Sequence, residues 1–302
     1  MTVVAYGSDM LFRAKAQRLL DHLAQAHVNS VALMIPILQD SWSASVVYPD
    51  PKLTPPLSDV SAFLDEAHRR GFTVMLRPIL DERRLGGAHW RGDIQPRDRV
   101  GWFRTYRDLM VTYAGAAEKQ HADIFNVGTE FNSLQPYTTD WLNVIASVRA
   151  VFSGQVTYSE NYNAPNIGFG RALDFVGVDA FFPLEAPFGA STGQLAASWQ
   201  SWLPQIRQMG RIAGKPVVIT EIGVTAEAGS YRRPFVWHQG TGLSLETQRR
   251  YYDASCQVLK PQVSGLYWWE FDLNPPDNPQ QDTGFNPQGK PAEVSMQRCF
   301  GG

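Results

Sequence analysis

Two glutamates, Glu130 and Glu221, stand where the sequence changes from an apolar run to a turn. Each ends a short run that contains valine and threonine, 127–129 in the first case and 218–220 in the second. Two neighbouring carboxyl groups suit acetal hydrolysis, in which one acid protonates the leaving oxygen and one carboxylate attacks or stabilises the oxocarbenium-like centre. The pair therefore predicts acid and nucleophilic catalysis by carboxyl groups.

Other polar side chains also follow predicted strands. They are Arg77, Asp81, Glu82, Thr129, Asn161, Asp179, Glu270 and Asp272. We predict that Arg77, Asp81, Thr129, Asn161 and Asp179 contribute to substrate binding. The alternative is that these groups pair with one another, since a single glutamate at a strand end is more often half of an ion pair than a catalyst.

Histidine placement argues against a metal centre and against a serine nucleophile. Three of the six histidines fall in predicted helices, and the other three fall in loops or at a strand entry. No imidazole cluster therefore ends a strand, as a barrel metallohydrolase requires. The chain also lacks the Gly-x-Ser-x-Gly turn of a serine hydrolase. Neither a metal nor an organic cofactor is predicted.

Strand-like runs alternate with amphipathic stretches along the whole chain. The runs are 2–6, 30–37, 72–78, 123–128, 155–159, 173–182, 216–221 and 265–271, and the helical stretches are 10–27, 60–70, 102–118, 140–151, 195–212 and 245–259. Strict alternation indicates a parallel sheet with right-handed crossovers, and eight such units in one chain favour a single (β/α)8 TIM barrel of the α/β class. An open doubly wound sheet is the alternative, but no Gly-x-Gly-x-x-Gly turn or P-loop is present.

Composition predicts a single catalytic barrel over residues 1–302. The chain is 44% apolar and 19% charged, and no linker or low-complexity segment divides it. A net charge of −2 offers no basic surface for nucleic acid. No apolar run approaches the roughly 18 residues of a membrane span, so membrane insertion is not expected. We expect a monomer.

The sequence is compatible with two compartments and with two states of the cysteines. The first residues lack the charged, apolar and small-residue segments of a signal peptide, so a cytoplasmic protein and a secreted protein with its leader removed are both compatible with the chain. Cys256 and Cys299 are the only cysteines, and no Cys-x-x-Cys spacing surrounds them. We therefore expect two free thiols, with a single bridge as the alternative.

Side-chain alternation predicts that both glutamates face the barrel interior. On the fourth strand Asn126 and Gly128 share a face with Glu130, and on the seventh Ile219 shares a face with Glu221. The carboxyl ends of barrel strands carry the working residues of such folds. The two carboxyl groups are therefore predicted to meet at that end of the barrel.

The two strand endings, 127–130 and 218–223, resemble those of clan A glycoside hydrolases, which are barrel enzymes with one glutamate after strand four and another after strand seven. The resemblance is narrower to glycoside hydrolase family 113, whose known members are chiefly β-1,4-mannanases. It extends over most of the chain, through 67–81, 141–158, 173–184 (LDFVGVDAFFPL), 214–223 (GKPVVITEIG), 267–269 and 289–292.

The resemblance implies that Glu130 is the acid/base and Glu221 the nucleophile of a retaining endo-β-1,4-mannanase. In such enzymes the two carboxyl groups lie about 5 to 5.5 Å apart. Glu130 then needs a raised pKa, from burial and from the negative neighbour Glu221, whereas Glu221 must stay ionised. Arg77 is the predicted counter-ion of Glu221. The implied partner is a β-linked polysaccharide or oligosaccharide, with no cofactor.

Two positions depart from the clan pattern. Thr129 stands where most clan A families have asparagine before the acid/base, as the Gly-Thr-Glu pattern of the resembling family allows. Where related sequences often show tyrosine on strand six, this chain has Phe181 and Phe182. Since phenylalanine cannot hydrogen-bond the nucleophile, Tyr158 or Tyr267 is expected to do so, or the substrate differs from the family norm.

Aromatic residues near the strand ends are predicted to form the floor of sugar-binding subsites, because the C–H faces of sugars pack on aromatic rings. Either Trp268 or Trp269 faces the barrel mouth, since successive strand residues point opposite ways. Trp42, Trp90 and Trp237 either contact sugar or pack on the rim, and long loops after strands two, seven and eight are expected to wall a cleft. The alternatives are the same mechanism on a β-glucan or a hexosamine-containing exopolysaccharide, and a catalytically silent carbohydrate-binding barrel.

Overall fold

The computed structural model describes residues 1–7, 12–165 and 167–301. The strands are β1 Thr2–Val4, β2 Ser30–Ile37, β3 Thr73–Leu80, β4 Ile124–Thr129, β5 Gln155–Asn161, β6 Phe175–Asp179, β7 Val217–Ile222, β8 Gly265–Trp268 and β9 Phe271–Asp272. The α-helices are α1 Phe12–Gln25, α2 Leu57–Arg69, α3 Arg99–Lys119, α4 Thr138–Arg149, α5 Thr192–Gln200, α6 Leu203–Ala213, α7 Leu245–Leu259 and α8 Pro291–Gly301.

The strands form one parallel sheet that closes into a barrel. From β1 to β8 each strand pairs with the next along the chain, and β1 also pairs with β9, where Val3 lies opposite Phe271. Because β9 follows β8 after residues 269–270, the two segments together form the eighth barrel strand. This topology confirms the predicted (β/α)8 TIM barrel.

Strands β2 and β3 show why the sheet is parallel and enclosed. Their sequences, SVALMIPI and TVMLRPIL, are buried at every position after the first. A barrel strand has side chains inside the barrel on one face and helices on the other, so an apolar run without polar alternation suits it. The two strands pair without a register shift from Ser30 opposite Thr73 to Ile37 opposite Leu80.

A small apolar cluster, which we call the lower plug, fills the barrel interior near the amino-terminal ends of the strands. Its members are Ala32, Met75, Ile124, Phe175, Val218 and Tyr267. Met75 lies opposite Ile124 in the β3/β4 register, so neighbouring strands contribute side chains at one level of the barrel. Stacked layers of this kind make the interior of such barrels a packed core.

Two helices differ from the prediction. The stretch 195–212, expected as one helix, is divided into α5 and α6 around Ser201 and Trp202, with Pro204 in the first turn of α6. Proline is tolerated there because the first helical N–H groups have no partner within the helix. The helix α8 was not predicted. Met10 and Leu11, which begin the predicted first helix, lie outside the described residues.

Cys256 on α7 and Cys299 on α8 form a disulfide with Cα atoms 5.9 Å apart. The prediction of two free thiols is therefore wrong, and the alternative of a single bridge is correct. The two cysteines are 43 residues apart in sequence, and only the packing of α8 on α7 brings them together. Among the helices in the described part of the chain, none has the length and apolar character to cross a membrane.

Candidate active site

Irregular strand pairing decides where the two glutamates point. The β4/β5 register shifts between Asn126 and Thr129, and the β6/β7 register shifts between Val178 and Asp179. Just after β4, Glu130 adopts a φ of 55°, in the left-handed region. A register shift of this kind places an extra residue in one strand, and the side chains that follow it then point in a different direction. These shifts lie immediately before the positions that carry the two carboxyl groups.

The simple alternation predicted for β4 and β7 is therefore wrong. A Cβ atom at Gly128 would lie 2.8 Å from the Tyr158 ring and 3.0 Å from Trp141 on α4, so this position faces the helix layer. Ile219 belongs to the main core, whereas its neighbour Val218 belongs to the lower plug inside the barrel. Both glutamates reach the barrel mouth because the shifts change the face on which they stand.

Arg77 lies fully buried inside the barrel and forms ion pairs with two carboxyl groups. Its Nη2 lies 2.9 Å from Oε1 of Glu221 and 3.4 Å from Oδ1 of Asp179. Its Nη1 donates to the carbonyl oxygen of Thr220 at 2.8 Å, and the Thr220 hydroxyl donates to Asp179 at 2.7 Å. Arg77 is thus placed as the counter-ion of Glu221, beneath the surface that a substrate would touch.

Glu130 has a different cationic partner, Arg91. The Arg91 Nη1 atom donates to Oε2 of Glu130 at 2.9 Å, and Asn161 Nδ2 donates to Oε1 at 2.7 Å. Arg91 also lies 3.1 Å from Oε1 of Glu82 and donates from Nε to the Leu80 carbonyl oxygen at 3.0 Å. Sequence reasoning missed Arg91 because it lies in the loop 81–98, where no strand or helix period places a side chain.

Burial and charge shift the pKa values of three carboxyl groups in this cluster. Burial raises the pKa of Glu130 to about 7, with Arg91 opposing the rise and Asp179 adding to it. Burial also raises the pKa of Glu221, with Asp179 adding and Arg77 opposing, and it raises the pKa of Asp179 against Arg77. Three carboxyl groups with two guanidinium partners cannot all ionise freely, so the cluster retains a proton near neutral pH.

A cleft of about 450 Å³ opens over the two glutamates. Of the residues predicted to bind substrate, Asn161, Trp90, Trp237 and Trp269 line it. Sequence reasoning did not assign substrate contacts to six further lining residues, which are Glu82, Arg91, Tyr162, Asn163, Phe235 and Phe285. Phe181, which stands where related sequences often have tyrosine, lines the cleft as well. Most of these positions lie in loops, whose course the strand and helix pattern does not determine.

The eighth strand presents Trp269, and not Trp268, to the cleft. Trp268 is fully buried and stacks on Tyr252 of α7, with ring centroids 3.9 Å apart. Trp269 instead meets Trp237 edge to face, with centroids 6.3 Å apart and an angle of 80°. Of the two tryptophans, only Trp269 therefore lines the cleft, and its contact with a sugar stays a prediction.

Trp90 lies in the loop after β3 and lines the cleft, and its ring packs closely on the backbone of the same loop. A Cβ atom at Gly92 would come within 2.2 Å of the Trp90 ring, so the absence of a side chain there lets the indole lie over the turn. Trp42 does not line the cleft, because it stacks on His89 with centroids 4.6 Å apart. Trp42 therefore packs against the loop that carries Trp90.

Two predicted tyrosine contacts are wrong. Tyr158 accepts the backbone N–H of Phe131 at 2.9 Å and packs on Trp141 with centroids 5.2 Å apart, which places it in the helix layer. Tyr267 belongs to the lower plug, and its hydroxyl lies 2.5 Å from that of Ser30. Neither tyrosine takes the place of the missing strand-six tyrosine.

Three other predicted residues lie below or beside the cleft. Asp179 and Thr129 are buried, and Thr129 Oγ1 lies 3.5 Å from Nδ2 of Asn126. Asp81 accepts the Tyr6 hydroxyl at 2.9 Å. In the described residues no group of three or more histidine, cysteine, aspartate or glutamate side chains is arranged to hold a metal ion.

A parallel (β/α)8 barrel with two glutamates at the ends of β4 and β7, facing one cleft, defines a glycoside hydrolase of the clan A type. The model of glycoside hydrolase family 113 matches residues 6–290, so the chain belongs to that family. This result confirms the predicted family and class of enzyme, a retaining glycoside hydrolase that acts on carbohydrate. A search of curated proteins found no match.

Solved structures agree with this assignment. The GH113 β-mannanase AaManA from Alicyclobacillus acidocaldarius, in complex with ManMIm, is 25% identical with a TM-score of 0.88, over 100% of this chain and 96% of that one. A second GH113 β-1,4-mannanase is 22% identical with a TM-score of 0.87, over 99% and 97%. GH5_18 from Streptomyces cattleya, in complex with Manb1-4GlcNAc, is 16% identical with a TM-score of 0.62, over 96% and 74%. These last two show likeness of fold alone.

Proposed function

We propose that the protein is an endo-β-1,4-mannanase in which Glu130 is the acid/base and Glu221 the nucleophile. One observation carries the assignment: two buried glutamates face a single aromatic-lined cleft, and each contacts its own guanidinium group. The likeness to GH113 mannanases supports mannan as the substrate. We further propose that residues 1–302 act as one domain and as a monomer.

The first step forms a glycosyl ester on Glu221. Its carboxylate attacks the anomeric carbon while Glu130 gives its proton to the glycosidic oxygen, so the C–O bond breaks and the leaving sugar departs as an alcohol. Arg77 stabilises the ionised form of Glu221 through the 2.9 Å contact. In the second step Glu130 takes a proton from water, whose oxygen attacks the same carbon and releases Glu221.

We place the retained proton of the cluster on Glu130. Arg77 contacts both Glu221 and Asp179, whereas Arg91 divides its charge between Glu130 and Glu82. When Glu221 becomes an ester it loses its negative charge, and the pKa of Glu130 then falls. The acid of the first step thereby becomes the base of the second, and Arg91 favours that second form.

The test is hydrolysis of mannan, glucomannan, β-glucans and hexosamine polymers by wild type, Glu221→Ala and Glu130→Gln. We expect mannan to be cut into short oligomers, and we expect Glu221→Ala to lose roughly 10⁴-fold or more in kcat. The control is Glu118→Gln, whose carboxylate accepts the backbone N–H of Ser153 just before β5, at the opposite end of the barrel. Mutant activity equal to wild type would refute the Glu221 assignment, and activity on another glycan alone would replace the substrate.

A further inference from the structure

The loop between β7 and α7 is fastened by a carboxyl group that the proposed mechanism does not use. Glu227 is only 1% exposed. Its Oε2 accepts the backbone N–H of Gln239 at 2.7 Å, and its Oε1 accepts that of Gly240 at 2.9 Å. The Thr225 hydroxyl donates to Oε2 at 3.2 Å. One buried carboxylate therefore holds the returning half of the loop by two backbone contacts.

The loop is also closed at its base and braced inside. Glu227 forms an antiparallel bridge with Leu243, so we call residues 227–243 the aromatic loop. The side-chain amide of Gln239 donates to the carbonyl oxygens of Arg233 and Val236 at 2.9 and 3.1 Å. Because Glu227 holds Gln239 and Gln239 holds 233–236, the position of the loop tip depends on the buried carboxylate.

The tip carries two exposed rings that line the cleft. Phe235 is 45% exposed and Trp237 is 62% exposed. Phe235 lies nearly parallel to Tyr162, with centroids 6.2 Å apart and an angle of 14°, and Trp237 meets Phe285 edge to face at 5.0 Å. Large apolar rings left open to water beside a polar catalytic cluster are typical of sites that bind the C–H faces of a ligand.

Phe235 and Trp237 lie at the open rim of the cleft, whereas Glu221 and Trp269 are almost fully buried, at 3% and 7% exposed. Trp269 directly follows β8, the strand that pairs with β7, and β7 carries Glu221. Trp237 contacts Trp269 edge to face from the aromatic loop, which lies between β7 and α7. A sugar unit that contacts the aromatic loop is therefore not the unit attacked by Glu221.

We propose that the aromatic loop forms a distal sugar-binding position, where Phe235 and Trp237 stack on a pyranose ring beyond the two units joined by the cleaved bond. Glu227 is the positioning residue that holds both rings in place. The inference rests on the proposed function, because it specifies the glycan length that the same cleft takes. It predicts that longer β-linked oligosaccharides bind better than disaccharides through this loop.

The experiment compares β-1,4-linked manno-oligosaccharides and cello-oligosaccharides of two to six units. Steady-state kinetics are measured for wild type, Glu227→Gln, Phe235→Ala, Trp237→Ala and the control Glu118→Gln. In Glu227→Gln an amide NH2 group replaces one carboxylate oxygen. Either the Gln239 or the Gly240 N–H group then faces a donor and loses its hydrogen bond. Binding of the same sugars to inactive Glu221→Ala, with and without Phe235→Ala, is measured by calorimetry.

We expect each loop variant to lower kcat/KM for the hexasaccharide about tenfold, mainly through KM, with a clearly smaller loss for the disaccharide. Glu118→Gln should match wild type at every length. Equal losses for short and long sugars, or no loss for the hexasaccharide, would overturn the inference.

The two sugar series separate failure of the proposed substrate from failure of the loop assignment. If wild type does not hydrolyse mannan but the length-dependent loss appears with cello-oligosaccharides, the proposed substrate is wrong and the loop assignment stands. If calorimetry shows no length dependence with either series, the loop assignment fails. Phe235→Ala and Trp237→Ala alter exposed rings, so they test the inference even if Glu227→Gln does not fold.

Discussion

The two ends of the barrel interior differ sharply in chemistry although the same strands build them. On β3, Met75 belongs to the lower plug, and two residues later Arg77 is paired with carboxylates. On β7, Val218 belongs to the plug, and three residues later Glu221 lines the cleft. Burying a charge is costly unless it is paired. The charged layer, formed by Arg77, Asp179 and Glu221, is therefore confined to the end of the barrel where the cleft opens. The comparison teaches that stability and chemistry are separated along each strand.

The largest expected effect follows from removing the cation of the charged layer. Arg77→Met leaves Asp179 and Glu221 buried without their guanidinium, which should lower the free energy of unfolding by about 3–5 kcal/mol at neutral pH. The loss should shrink as pH falls. The raised pKa values mean that Asp179 and Glu221 are protonated in the folded protein at a higher pH than in the unfolded chain, and a neutral carboxyl group no longer needs the cation. Urea unfolding between pH 5 and 8 measures both. A pH-independent loss would mean that packing, not charge, dominates.

A cavity in the lower plug should affect stability alone. Met75→Ala removes a fully buried side chain and should cost about 2–5 kcal/mol in the free energy of unfolding. The kcat of the folded fraction should stay within about twofold of wild type, because the plug lies below the charged layer. Urea unfolding and hydrolysis assays on the same preparation check this. A large fall in kcat would break the separation between the two ends.

The disulfide offers a second test of the amino-terminal end. Cys299 and Tyr267 border the same cavity there, so the bridge reinforces the side away from the cleft. The double variant Cys256→Ser, Cys299→Ser should lose about 2–4 kcal/mol of stability with kcat unchanged. The measurement is the urea midpoint of wild type, reduced wild type and the double variant. Wild type that keeps its midpoint after complete reduction would contradict this role.

The smallest expected effect is a shift in pH dependence at the cleft. Loss of the Glu130 proton should lower kcat/KM as pH rises through its pKa of about 7. Arg91 lowers that pKa, so Arg91→Met should move the falling limb to higher pH, whereas Glu82→Gln should move it to lower pH because Glu82 raises the pKa. Asp179, Glu221 and Arg77 face the same cluster in both variants. Shifts of the same sign would contradict Glu130 as the titrating acid.

The barrel and the two glutamates could be predicted because strand periods and strand ends are local signals. Alternation failed at β4 and β7 because a register shift depends on the neighbouring strand, which the sequence of one strand does not show. Arg91 and Phe235 were missed because loop geometry places them. The pairing of Cys256 with Cys299 depends on the packing of two helices, so spacing along the chain did not indicate it.

The pairing of β1 with β9 has a consequence for biosynthesis. Val3 pairs with Phe271, so the ring cannot close until residues 271–272 have left the ribosome. During translation the nascent chain holds an open sheet whose first strand has an unpaired edge, a surface that favours association with other chains. Closure of the barrel therefore waits for β9, and until β9 emerges the edge of β1 must be shielded from neighbouring polypeptides.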